Sequence, residues 1–131
     1  HVTAEDNERI ALSEAIGQSA CQISQRVGAK AILAFTQTGN TAALVAKYRP
    51  AIPVYAVTPS RAVRRRLALY SGIRSLRVDI QGNTEEQIKW VEESVLNAGV
   101  LNVGDVVVVT MGSPISDPGT TNLLKVHQLG S

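Results

Sequence analysis

The stretch that most limits what this chain can become runs from Ala31 to Thr41 and reads Ala-Ile-Leu-Ala-Phe-Thr-Gln-Thr-Gly-Asn-Thr. An apolar run stops abruptly at a cluster of hydroxyls around one glycine. A helix-like segment, Ala42 to Tyr48, begins straight after. That pattern predicts a buried strand, a tight turn and a helix N-terminus. The turn presents backbone N–H groups at the positive end of a helix dipole. Thr36, Thr38 and Thr41 add hydroxyls, Asn40 adds a donor, and Gly39 lets the backbone approach a ligand closely. This is the chemistry of a site for a phosphate or another small anion.

The other segments read as scaffold. Thr3-Ala4-Glu5-Asp6 starts a helix, with Ile16, Ala20, Ile23 and Val27 as its apolar stripe and Gly28 as its stop. Tyr48-Arg49-Pro50 closes the second helix, because a residue before proline disfavours the α region. Pro53 to Thr58 is a second short strand. Ser60 caps a third helix over Arg61 to Tyr70, Gly72 ends it, and Ile73 to Ile80 is a strand nearer an edge. Thr84-Glu85-Glu86-Gln87 reads as a capping box for a fourth helix with Ile88, Val91, Val95 and Ala98 inward and Gly99 as its stop. Val106 to Val109 is the most strongly β-forming run and is apolar on both faces, so it reads as a central strand continuing to Met111. Gly112 to Thr121 is a loop rich in Gly, Pro, Ser and Thr, and Asn122 to Leu129 is a last strand of mixed polarity.

This alternation predicts a three-layer αβα fold with a five-stranded, mostly parallel sheet. The last strand has no helix before it, so it is expected to return antiparallel at the edge beside Val106–Met111. With 131 residues the chain makes one domain, residues 1–131. At 44% hydrophobic and 18% charged it is not a disordered segment. A net charge of +2 argues against nucleic-acid binding without a clustered patch, and no apolar run is long enough to cross a membrane. The single cysteine, Cys21, excludes an internal disulfide, which fits a reducing cytoplasm. Opening on His1 rather than Met, the chain reads as a piece excised from a longer protein.

Ligands of open α/β sheets collect at the C-terminal strand ends, where strand order reverses. If the first strand and Val106–Met111 are neighbours, the 36–41 turn and the 112–121 loop emerge at one edge. Gly112, Ser113, Ser116, Gly119, Thr120 and Thr121 would then join Thr36, Thr38, Gly39, Asn40 and Thr41. No His or Cys lies near either segment, so no nucleophile–base pair is expected and binding is favoured over catalysis. Plain capping by the threonines, and a plain surface loop at 112–121, stand open beside this reading. Arg61, Arg64, Arg65 and Arg66 spread round their helix as a solvated face, with an anion or subunit contact as the alternative. Trp90 is expected to be packed or interfacial. Cys21 is expected to be a buried small hydrophobe. His127 lacks a second ligand nearby, so no metal is expected. Asp79 and Asp105 read as turn or cap residues.

Residues 29–42, together with Lys47-Tyr48-Arg49-Pro50, Pro53-Val54-Tyr55-Ala56-Val57-Thr58, Leu69-Tyr70-Ser71-Gly72-Ile73, Gly104-Asp105-Val106-Val107-Val108-Val109 and Gly119-Thr120-Thr121-Asn122, resemble in order and spacing the C-terminal domain of bacterial pyruvate kinases. The resemblance implies part of an enzyme that transfers phosphate from phosphoenolpyruvate to ADP, giving pyruvate and ATP in glycolysis. Its catalytic residues and its Mg²⁺ and K⁺ sites lie in a (β/α)₈ barrel that is absent here, so this domain is expected to need no cofactor and to be inactive alone. In members activated by sugar bisphosphates, a Thr-x-Ser-Gly-x-Ser turn grips an effector phosphate; it corresponds to Thr36, Thr38, Gly39, Asn40 and Thr41. The loop before the last strand, here 112–121, closes over the sugar. Asn40 stands where some members carry a cation, and the loop holds no Arg or Lys. A sugar monophosphate or AMP is therefore expected rather than a bisphosphate. The family's last strand also sits at a subunit contact, which implies a homo-oligomer. A free-standing paralogue that binds a phosphorylated metabolite, and a purely structural oligomerisation module, remain the alternatives.

Overall fold

The computed structural model describes residues 3–70, 72–78, 82–111 and 123–131. The elements run α1 (Ala4–Val27), β1 (Ala31–Phe35), α2 (Asn40–Lys47), β2 (Val54–Val57), α3 (Arg61–Leu67), β3 (Ile73–Leu76), α4 (Thr84–Asn97), β4 (Val106–Met111) and β5 (Leu123–Gln128). The sheet order is β3-β2-β1-β4-β5. Every pair is parallel except β4 with β5. The last strand lies antiparallel at the edge beside β4, as the sequence reading expected.

Handedness explains the layers. The β1–α2–β2 and β2–α3–β3 crossovers step the same way, and right-handed connections place both helices on one face. The β3–α4–β4 crossover steps back past β2 and β1, so α4 covers the other face. The two cores follow. Ile32, Ala34, Val54, Ala56 and Val108 pack under α1, α2 and α3, with Ala20, Val45 and Leu67 from the helices. Leu33, Phe35, Tyr55, Val57, Val107 and Val109 pack under Ile88, Val91 and Val95 of α4. All five residues of β1 are buried, as a central strand between two helix layers must be.

Several boundaries differ from the sequence expectation. α4 is capped by Asn83 rather than Thr84. The Asn83 side chain accepts from the Glu86 amide at 2.9 Å, and Glu86 reciprocates to the Asn83 amide. Asparagine is as good a cap as threonine and is the residue that keeps extended dihedrals here. Ala98 is exposed, since the helix ends one residue earlier. α3 stops at Leu67, and β3 ends at Leu76 instead of reaching Ile80, which lies outside the described residues with Asp79.

The largest departure is in α1. Among its described side chains the buried positions are Ser13, Gly17, Ala20 and Ser24; of the expected stripe only Ala20 is buried, whereas Ile16 and Ile23 are half-buried and Val27 is exposed. Close approach to α2 selects small residues. A Cβ on Gly17 would sit 3.5 Å from the Leu44 backbone. Hydropathy alone misplaces most of the stripe when two helices pack nearly backbone to backbone.

Candidate functional site

The candidate site forms where the strand order reverses. β1 leads to α2 and then to β2 on one side, while β4 lies on β1's other side in parallel register, Ala34 opposite Thr110. The C-terminal ends of β1 and β4 therefore emerge together. Thr36, Thr38, Gly39, Asn40 and Thr41 lie at this edge. Gly112, Ser113, Ser116, Gly119, Thr120 and Thr121 fall outside the described residues.

The turn is more tightly closed than the sequence suggests. Gly39 is the N-cap of α2 and sits in the left-handed region at φ 95°, and no side chain caps the helix. The helix thus begins at Asn40, not Ala42, because a glycine that reverses the chain lets the next residue turn immediately. Thr36 is buried, and its Oγ1 accepts from the Gly39 amide at 2.7 Å. Thr38 Oγ1 accepts from the Asn40 amide at 3.3 Å. Two of the amides that could face a ligand are therefore occupied by threonine hydroxyls. Gly39 is itself buried, and a Cβ there would meet Arg66 Nη2, Val63 Cγ1 and Leu67 Cδ2 at 2.7, 3.3 and 3.4 Å. The glycine is needed for close packing of the turn against α3.

That packing corrects the reading of the arginines. Arg66 reaches across from α3 and donates to the Thr38 carbonyl. Arg64 Nη1 donates to the Thr58 carbonyl at 3.2 Å. Two of the four cations thus bind carbonyls at the strand ends, and one stands over the hydroxyl turn. A guanidinium carries five N–H donors in a planar fork, so one bond to a carbonyl leaves donors for an oxyanion. Helical spacing within α3 carries no sign of this. The signal lies in topology: β2 pairs with β1, so the helix leaving β2 starts beside the turn that leaves β1.

Thr110 is a second residue that sequence reasoning missed. It is fully buried, and its hydroxyl has no hydrogen-bond partner among the described residues. Alternation along β4 puts it on the same face as Val108 and Ala34, under α1 and α2, shortly before the 112–121 segment. A valine would fill the same space, so the hydroxyl is unexplained by packing.

The remaining singled-out residues take structural places. Asp105 Oδ2 accepts from the Asn102 amide at 2.9 Å, which makes it a turn residue. His127 Nε2 lies 3.3 Å from Glu92 Oε2, and Glu92 also accepts from the Gly130 amide, so this carboxylate ties α4 to the end of β5. Among the described residues no cluster of three or more His, Cys, Asp or Glu is placed to hold a metal. None of their helices is long and apolar enough to cross a membrane. Trp90 is 56% exposed on α4.

Cys21 is half-buried rather than buried, with Sγ 3.5 Å from the Val45 carbonyl. Burial raises its pKa above the ordinary thiol value. Only the thiolate is alkylated, so Cys21 is expected to react with iodoacetamide more slowly than a free thiol at about pH 8. Its rate should climb only as pH passes the ordinary thiol range. A rate equal to that of glutathione across the pH series would show that the side chain is open to solvent.

Comparison with known proteins adds the family. The family model "Pyruvate kinase, alpha/beta domain" matches residues 14–127. A pyruvate kinase of Clostridium acetobutylicum is 44% identical over 121 residues, covering 92% of this chain and 26% of that protein. One from Geobacillus stearothermophilus is 39% identical over 116 residues, covering 88% and 20%. Among solved structures, a Cryptosporidium parvum pyruvate kinase superposes with a TM-score of 0.80 at 29% identity, over 90% of this chain and 23% of that one. The chain thus spans about a quarter or less of the relatives it matches.

Proposed function

The chain belongs to the pyruvate kinase alpha/beta domain family, and from that membership we propose that it serves as the regulatory and subunit-contact part of a pyruvate kinase. The parent reaction is phosphate transfer from phosphoenolpyruvate to ADP, giving pyruvate and ATP. The catalytic barrel is the partner in the same chain and carries the Mg²⁺ and K⁺ ions. This domain performs no chemistry alone, and its place is the cytoplasm.

Its own task in this reading is to bind a phosphorylated effector, a sugar monophosphate or AMP. The observation that carries it is Arg66, a cation held over the Thr38–Gly39 turn by a bond from another helix. It supplies the charge that Asn40 and the 112–121 loop lack. One guanidinium with hydroxyls and helix amides suits one phosphate group and leaves a second phosphate uncompensated. Thr38 and Asn40 hold the phosphate, while Thr36, Gly39 and the buried Thr41 build the turn. Gly112, Ser113, Ser116, Gly119 and Thr120 close over the sugar. That loop leads straight into β5, an edge strand whose outer side is unpaired among the described residues. Closure therefore biases the contact between copies of the chain, by as much as the effector's affinity differs between the two assemblies.

Calorimetry of the 131-residue chain with inorganic phosphate, ribose 5-phosphate, glucose 6-phosphate, AMP and fructose 1,6-bisphosphate tests the proposal. A monophosphate is expected to bind, and Arg66→Gln to weaken it about tenfold. Absence of binding at about millimolar concentration, with a stable dimer, transfers the reading to a structural oligomerisation module; the burial of Gly39 is the observation on that side. Kinase turnover by this chain alone would contradict the assignment.

A further inference from the structure

A groove opens at the other end of the sheet, beside the N-terminal end of β1, and the regulatory reading does not use it. Its volume is about 720 Å³, within the range of about 300–1,000 Å³ typical of small-molecule sites. Three carboxamides line it from α1: Gln18, Gln22 and Gln25. Their spacing of four and then three residues places them on one helix face. Lys30 lines it from the start of β1, and Tyr48 and Arg49 from the end of α2. No acidic side chain among the described residues lines it. Neither cation has a hydrogen-bond or ion-pair partner among the described residues.

Arg49 carries the argument furthest. It is the one non-glycine residue with positive φ among the described residues, at 48°. It follows the C-cap Tyr48, its amide donates to the Ala46 carbonyl at 2.9 Å, and Pro50 comes next. This is the left-handed position after a helix, where glycine fits without strain. An arginine there costs backbone energy that glycine would avoid. The turn itself has no use for a guanidinium, whereas the groove it lines has two unpaired cations and no anion.

We propose that this groove binds a phosphate monoester on a polar body, of sugar-phosphate to mononucleotide size. Arg49 and Lys30 take the phosphate, with the guanidinium fork matching two oxygens. The three glutamine carboxamides donate and accept along the polar body, and Tyr48 offers a ring face. This site is separate from the 36–41 turn and stands whether or not that turn binds an effector.

Nuclear magnetic resonance of the ¹⁵N-labelled chain tests it, titrated in turn with inorganic phosphate, ribose 5-phosphate and adenosine 5′-monophosphate. The expected result is a saturable shift of the Gln18, Gln22 and Gln25 carboxamide signals with an organic phosphate, weaker with inorganic phosphate. Arg49→Gly should weaken that shift at least about tenfold while leaving the thermal unfolding temperature unchanged or higher, because it removes the strain. Lys30→Gln, which leaves the α2 turn untouched, should weaken it too and stands in if the glycine variant fails to fold. Arg66→Gln should leave it alone. Shifts confined to the amides of residues 36–42, no shift at any concentration up to about 10 mM, or full binding by both groove variants overturns the proposal; the first of these leaves the regulatory site intact.

Discussion

Gly39→Val is expected to lower the unfolding free energy by about 3 kcal/mol, combining the left-handed backbone penalty with overpacking. At φ 95° a β-branched residue is strained whatever the space around it. The space is also filled. The tip of Arg66 can swing away from a new Cβ, but Val63 and Leu67 are buried in the core under α3 and cannot. Alanine needs Arg66 to move and Val63 to give by only a few tenths of an ångström, and is expected to cost about 1–2 kcal/mol. Urea unfolding measures both. A valine variant within about 0.5 kcal/mol of the parent would mean that the turn relaxes away from α3, and the packing described for Gly39 would be wrong.

Thr36→Val is expected to cost about 2 kcal/mol although it barely changes shape, because it leaves the buried Gly39 amide without an acceptor. Thr36→Ser keeps the oxygen and is expected to recover most of the loss. Amide exchange at Gly39 should accelerate in the valine variant and remain slow in the serine one. Equal stabilities for the two variants would place the hydroxyl's contribution elsewhere. The effects of Thr36 and Gly39 substitutions should not add, since both act on one turn.

Much of this architecture was legible from local chemistry. The apolar run of β1 is buried on both faces, and the all-valine start of β4 lies beside it, because only a central parallel strand has no use for polar residues. The helix stops at Gly28 and Gly99 also held, both at positive φ. What stayed hidden depends on which elements meet. The buried face of α1 is made of small residues because α2 lies so close, and nothing in the composition of α1 announces its neighbour. Arg66 looks like one of four equivalent cations until β2 is placed beside β1. The chemical identity of the turn was readable. Its closure was not, because the threonine hydroxyls turn inward to the backbone and α3 covers the glycine. The second half of the candidate site, 112–121, lies outside the described residues.

The strand order also sets a timetable for assembly. Within this domain β1 precedes the other four described strands in sequence, yet the neighbour that completes one of its flanks, β4, is made only after β2, β3 and α4. Until then β1 can pair only with β2, and its other row of amides and carbonyls stays bare. Pairings so distant in sequence form slowly, and the waiting edge is the place where a growing chain would capture a stray strand. Slow translation between α4 and β4 should therefore favour aggregation more than the same pause placed after β4.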